Sequence, residues 1–197
     1  MRTVRRFLMA VLLGAGATSI GAQAALRSAS AVTAADVRFM QDMLQHHRQA
    51  VEMTALVEAR TRNAQLRTLA ERIAVSQADE MALMRRWLAA HGVTNDSSMG
   101  HAMDLHAGHG APADAAAMPG MLSGAELRAM RAASGPRFDR LFLTGMIRHH
   151  GGALTMVDSL LATAGAAQES SINRFVSDVD ADQRAEITRM RRLLSTR

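Results

Sequence analysis

Phe39, Met43, His46, His47, Ala50 and Met53 stand at fixed spacing, and Phe142, Met146, His149, His150, Ala153 and Met156 repeat that spacing 103 positions later. The shared frame is F-x-x-x-M-x-x-H-H-x-x-A-x-x-M. At about 100° per residue, Met43, His46, His47, Ala50 and Met53 share one helical face. Gln45, Arg48, Gln49 and Glu52 fill the opposite arc, and in the second copy Gly151 and Gly152 replace Arg48 and Gln49. Imidazole nitrogen suits zinc, copper, iron and nickel, whereas thioether sulfur narrows the choice to soft ions, chiefly Cu(I). A single inward histidine is ordinarily a satisfied core residue, and methionine fills gaps in helical cores. Two histidine pairs, each with methionines on the same face, point instead to metal binding.

A second repeat supports the first. Gln77, Glu80, Met84, Arg85, Arg86 and Leu88 match Gln183, Glu186, Met190, Arg191, Arg192 and Leu194, 106 positions apart. Glu80 and Met84 lie one turn apart, as do Glu186 and Met190. A carboxylate turned toward a core needs a partner. The inward histidines supply one, with Glu80 and Glu186 either accepting from Nδ1–H to fix the tautomer of a metal-bound ring or ligating directly. A supporting role beside the metal is expected for Glu80, Glu186, Met84 and Met190. The alternative is a Glu–His pair that only stiffens the fold.

Soft donors also crowd a stretch with no helical period. Met99, His101, Met103, His106 and His109 are followed by Met118 and Met121 within a run rich in Gly, Ala, Pro and Ser. Packing explains them poorly, because such a run offers few partners to pack against. A flexible Met/His segment of this kind can wrap Cu(I) or Ag(I) and release it.

The elements that must position these residues read as helices. Thr33 and Asp36 form a capping box opening a helix over 34–59, and Asn63 is an N-cap for a second over 64–90, with Gly92 as its stop. Residues 92–122 read as a mobile linker. Ser123 and Glu126 open a short helix to about 133, Pro136 suits the first turn of a third long helix to about 164, and a fourth runs over 171–195. The expected organisation is a signal peptide over 1–24, a leader over 25–32, helical hairpins over 33–91 and 123–197, and the Met/His-rich linker between them. A duplicated hairpin packed on itself gives an all-α, antiparallel four-helix bundle.

Arg2, Arg5 and Arg6 precede an apolar run over 7–20 and the small-residue pattern Ala22-Gln23-Ala24, so cleavage after Ala24 and export to a bacterial periplasm are expected. No membrane span then remains. All 23 basic residues are arginine; three leave with the signal, and 20 face 18 acids, a balance of +2. That mixed surface, with aromatics at 3%, argues against a nucleic-acid partner. Without cysteine, neither disulfides nor thiolate ligands are possible, so methionine and histidine must hold any soft ion.

The pattern D-M-x-x-H-H-x-x-A from Asp42 to Ala50, its second copy from Met146 to Ala153 and the later Q-x-x-E-x-x-x-M resemble the domain of unknown function 305 family. The resemblance covers about 34–197 and implies a ferritin-like architecture. It also implies copper binding, with Met43, His46, His47, Met146, His149 and His150 as the matching positions. Gly145 departs from the pattern where the first copy has Asp42. The expected function is a periplasmic, non-enzymatic protein that sequesters Cu(I) or exchanges it with a copper-donating or copper-accepting partner. The alternatives are a ferritin-like metal-dependent oxidoreductase, which the missing E-x-x-H pairs disfavour, and a structural bundle without metal.

Overall fold

The computed structural model describes residues 32–93 and 118–196. The signal peptide, most of the leader and the cluster Met99, His101, Met103, His106 and His109 lie outside the described residues. The described residues form six helices and no strand.

Helix α1 (Ala34–Thr54) opens at the expected capping box. Thr33 Oγ1 accepts from the Asp36 N–H at 3.1 Å, and the Asp36 carboxylate accepts from the Thr33 N–H at 2.8 Å. The other Asp36 oxygen accepts from the Ala167 N–H at 2.7 Å. That bond stabilises Ala167 in the left-handed region, at φ 54°, a conformation costly for a side chain with Cβ. One carboxylate thus starts α1 and fixes the turn between the last two helices.

The first helix does not continue to 59. It stops at Thr54, and a separate single turn, α2 (Val57–Arg60), follows. The Thr54 hydroxyl takes the Val51 carbonyl at 2.9 Å, and the Leu56 N–H returns to the Met53 carbonyl, so the chain tightens out of α geometry. Asn63 then caps α3 (Ala64–Ala90) by accepting from the Gln65 and Leu66 N–H groups. Gly92, at φ 71°, turns the chain away after His91. Helix α4 (Gly124–Ala132) has the Ser123–Glu126 capping box, and α5 (Gly135–Leu161) carries Pro136 in its first turn. Helix α5 ends three residues before the expected stop, and α6 (Ser170–Ser195) is capped by the Glu169 carboxylate.

Helix α1 packs on α3, α5 on α6, and the two pairs meet chiefly through α1 and α5, with α3 and α6 touching sparsely. The apolar interior is in two parts. One holds Met43, Leu44, Met84, Leu88, Val157 and Val176; the other holds Met53, Leu66, Ile73, Phe142, Met146 and Met190. The first half of α1 therefore shares a core with the second half of α5, so these helices run antiparallel. Trp87, 8% exposed, belongs to the first part; its indole N–H donates to Glu169 and its ring lies 4.2 Å from that of His91.

Candidate metal centre

Between the two apolar parts lies a buried polar layer with two side chains from each long helix: His46 and His47, Gln77 and Glu80, His149 and His150, Gln183 and Glu186. Adjacent histidines on a helix diverge by about 100°, so each pair sends one ring toward the partner hairpin and one toward its own second helix. His46 and His149 meet across α1 and α5, with ring centroids 3.8 Å apart. His47 reaches Glu80 on α3 in a short hydrogen bond, and His150 reaches Glu186 on α6 at 2.6 Å. The expected Glu–His pairing is present, but the ring atom involved is Nε2 rather than Nδ1.

The remaining hydrogen bonds decide which nitrogens are free. A carbonyl only accepts, so His46 Nε2–H donates to the Pro119 carbonyl at 3.0 Å. A carboxylate oxygen accepts, so His47 and His150 likewise donate from Nε2 to Glu80 and Glu186. His46 Nδ1, His47 Nδ1, His149 Nε2 and His150 Nδ1 are all buried without a hydrogen-bond partner. Burial pushes the His46 imidazole down to about 4, against the Pro119 bond and reinforced by His47 and His150. Burial, followed by the repulsion of His46, His150 and His47, also holds His149 well below the ordinary histidine range. At neutral pH these two rings are uncharged and offer lone pairs. Gln77 Nε2 and both polar atoms of the Gln183 amide are also buried without partners. Native interiors leave few such groups, so these seven among the described residues need an explanation.

The methionines flank this layer, though not in the groups the helical wheel suggested. Ten residues of helix span about 15 Å, so Met43 and Met53 fall on opposite sides of the layer. Met43 and Met84 share one apolar part, against which the half-buried Met156 packs; Met53, Met146 and Met190 share the other. Gly145 explains part of this crowding, because a Cβ there would lie 3.2 Å from the Met130 methyl and 3.4 Å from that of Met53. Among the described residues, no three histidine and carboxylate side chains stand together in a metal-holding arrangement.

Three features were not anticipated from sequence. Gln49, placed on the solvent arc by the wheel, is buried and joined to Leu122 by two hydrogen bonds, at 3.0 and 2.7 Å. Residues 118–122, expected to belong to a mobile linker, lie folded across α1 and α5 and supply the Pro119 carbonyl. Asp182 shares the α3–α6 side with the two glutamates; partial burial first, then Glu80 and Glu186, raise its carboxyl above the usual range. The replacement of Gln49 by Gly152 in the repeat was the visible trace of the first two. Asp182 left none.

The DUF305 family, a domain of unknown function, matches residues 36–194. No curated protein matches the chain. A DUF305 fragment from Deinococcus radiodurans is 30% identical, with a TM-score of 0.69, over 84% of this chain and 99% of that one. A DUF305 protein from Streptomyces coelicolor, described as secreted, is 29% identical, with a TM-score of 0.67, over 82% and 93%. CopM in its Cu(I)-bound form is 24% identical, with a TM-score of 0.61, over 82% and 96%, and shares the fold. From the duplicated His-His frame, the all-helical architecture and these matches, the chain belongs to the DUF305 family.

Proposed function

We propose that this chain is a periplasmic copper-binding protein that takes Cu(I), and Ag(I) in its place, for sequestration or transfer to a protein partner rather than for turnover. The observation that carries this reading is the set of four buried imidazole nitrogens without hydrogen-bond partners, lying between two methionine-bearing apolar parts. Three of the rings are oriented through the opposite nitrogen by a carboxylate or carbonyl, as metal-bound histidines ordinarily are. His46, His47, His149 and His150 would hold the ion together with thioethers from Met43, Met84 and Met156 on one side or Met53, Met146 and Met190 on the other. Among the described residues no three His or carboxylate groups converge, and thioether sulfur from these methionines is the soft donor that would complete a site for Cu(I). Structures of CopM in Cu(I)-bound, Cu(II)-bound and Ag-bound forms support the choice of ion.

In this reading, the two hairpins are a duplicated unit forming a ferritin-like four-helix bundle, and residues 1–24 export the chain and are removed. Among the described residues, no helix is long and apolar enough to cross a membrane. The cluster Met99, His101, Met103, His106 and His109 captures copper at lower affinity and feeds the buried layer.

The test is an anaerobic Cu(I) titration against a competing chelator on three proteins: the chain without residues 1–24, its variant with alanine at His46, His47, His149 and His150, and its variant with alanine at the five linker positions. Replacing the linker donors, rather than deleting the linker, keeps residues 118–122 in place. The expected result is tight binding that survives the linker changes and is lost with the four histidines. Tight binding retained without the histidines overturns the buried site. No binding by the unmodified chain overturns the copper reading altogether.

A further inference from the structure

Residues 118–122 cross the seam between α1 and α5 and are held from both sides. On α1, the Gln49 amide donates to the Leu122 carbonyl at 3.0 Å and accepts from the Leu122 N–H at 2.7 Å. On α5, Gly152 makes room: a Cβ there would lie 1.9 Å from the Pro119 carbonyl oxygen, closer than any atoms can approach. Gly120 needs both its positive φ of 75° and its missing side chain, since a Cβ would fall 2.4 Å from the Arg148 carbonyl. Arg148 adds a salt bridge to Glu126 and a hydrogen bond to the Met121 carbonyl. Gln49 and Gly152 occupy the same position in the two copies of the frame, so one copy grips the segment where the other lets it pass.

The segment breaks the equivalence of the two facing rings. His46 receives the Pro119 carbonyl on Nε2, whereas the Nε2 of His149 has no partner. We propose that residues 118–122 are a positioning strap for His46. By holding Nε2–H on the Pro119 carbonyl, the strap presents Nδ1 as the metal-binding nitrogen, and Gln49 and Gly152 are the positioning residues that seat it. This rests on the copper reading for the identity of the ion, but the effect on the ring exists without metal. A ring freed from the carbonyl exchanges its proton between both nitrogens and loses a fixed donor. Loss of such a supporting partner ordinarily weakens metal binding about 10–100-fold.

The experiment uses the chain without residues 1–24 and its Gln49→Ala and Gly152→Ala variants. Long-range proton–nitrogen NMR of the histidine rings, on metal-free protein, reads the tautomer of each ring directly. Chelator competition then reads Cu(I) affinity. In the unmodified chain His46 is expected to carry its proton on Nε2 alone. In both variants it becomes a mixture while His47 and His150, held by Glu80 and Glu186, keep their signals and report an intact fold. Copper affinity falls about 10–100-fold.

An Nδ1–H form of His46 in the unmodified chain overturns the proposal. So does a pure Nε2–H form in both variants, or a changed tautomer with unchanged affinity. If Gly152→Ala does not fold, Gln49→Ala decides alone. An unmodified chain that binds no copper defeats the copper reading and the strap's hold on a metal nitrogen; the NMR comparison still shows whether the strap governs the ring.

Discussion

His46 and His149 are neutral because the interior penalises their charged forms, and that has a consequence for acid stability. His46 is lowered to about 4 from an ordinary 6.5, and His149 is lowered as well. Between those values the unfolded chain binds more protons than the folded one. Stability is therefore complete above about pH 6.5 and falls as the pH drops toward 4, by at most ~1.4 kcal/mol per pH unit for each ring. Urea midpoints of the metal-free chain at pH 7.5, 6 and 5 should decline in that order; a flat series contradicts the buried neutral rings. At the same scale, Glu80→Gln and Glu186→Gln keep the shape of the pair but remove the charge that orients His47 and His150. Each should weaken Cu(I) binding about tenfold or more in chelator competition, with a much smaller change in thermal midpoint. Equal affinity in both variants would leave the glutamates a purely structural part.

Among the elements, the turn between α5 and α6 depends most on one distant residue. Asp36→Ala removes the N3 half of the capping box begun by Thr33 and the acceptor that holds Ala167, so it should cost about 2–3 kcal/mol in chemical denaturation. Ala167→Gly should instead add roughly 0.5–1 kcal/mol, because glycine adopts the left-handed conformation without the Cβ penalty. A loss of stability would show that Ala167 contributes more through its packing than it costs through its backbone.

These elements also show what could be read in the sequence. The capping residues Thr33, Asn63 and Ser123 start helices where expected, since an N-cap acts within three residues of itself. The end of α1 was missed because Thr54 competes for a carbonyl within a run that otherwise has the helical period. The histidine layer was legible from the duplicated frame, and its pairing with Glu80 and Glu186 followed from the second repeat. The sorting of Met53 with Met146 was not, because it depends on the antiparallel crossing of α1 and α5. The strap was hidden for a related reason: a two-point bond between Gln49 and Leu122 spans 73 positions and has no periodic signature.

For the whole molecule, a ligand that binds only the folded state should stabilise it by mass action. At a free copper concentration about 100 times the dissociation constant, the gain is ~2.7 kcal/mol, or roughly 5–10 °C in thermal midpoint for a chain of this size. Differential scanning calorimetry should show that rise with the linker donors replaced and lose it when the four layer histidines are alanine. The division of the core has a further, optical consequence. The chain has one tryptophan and no tyrosine. Trp87 belongs to the apolar part shared by Met43 and Met84, while Met53, Met146 and Met190 lie beyond the polar layer. Its near-ultraviolet emission is therefore a lamp in one half of the molecule. Quenching of that emission will follow the filling of the nearer half, and any copper taken up without dimming Trp87 will have gone to the dark side.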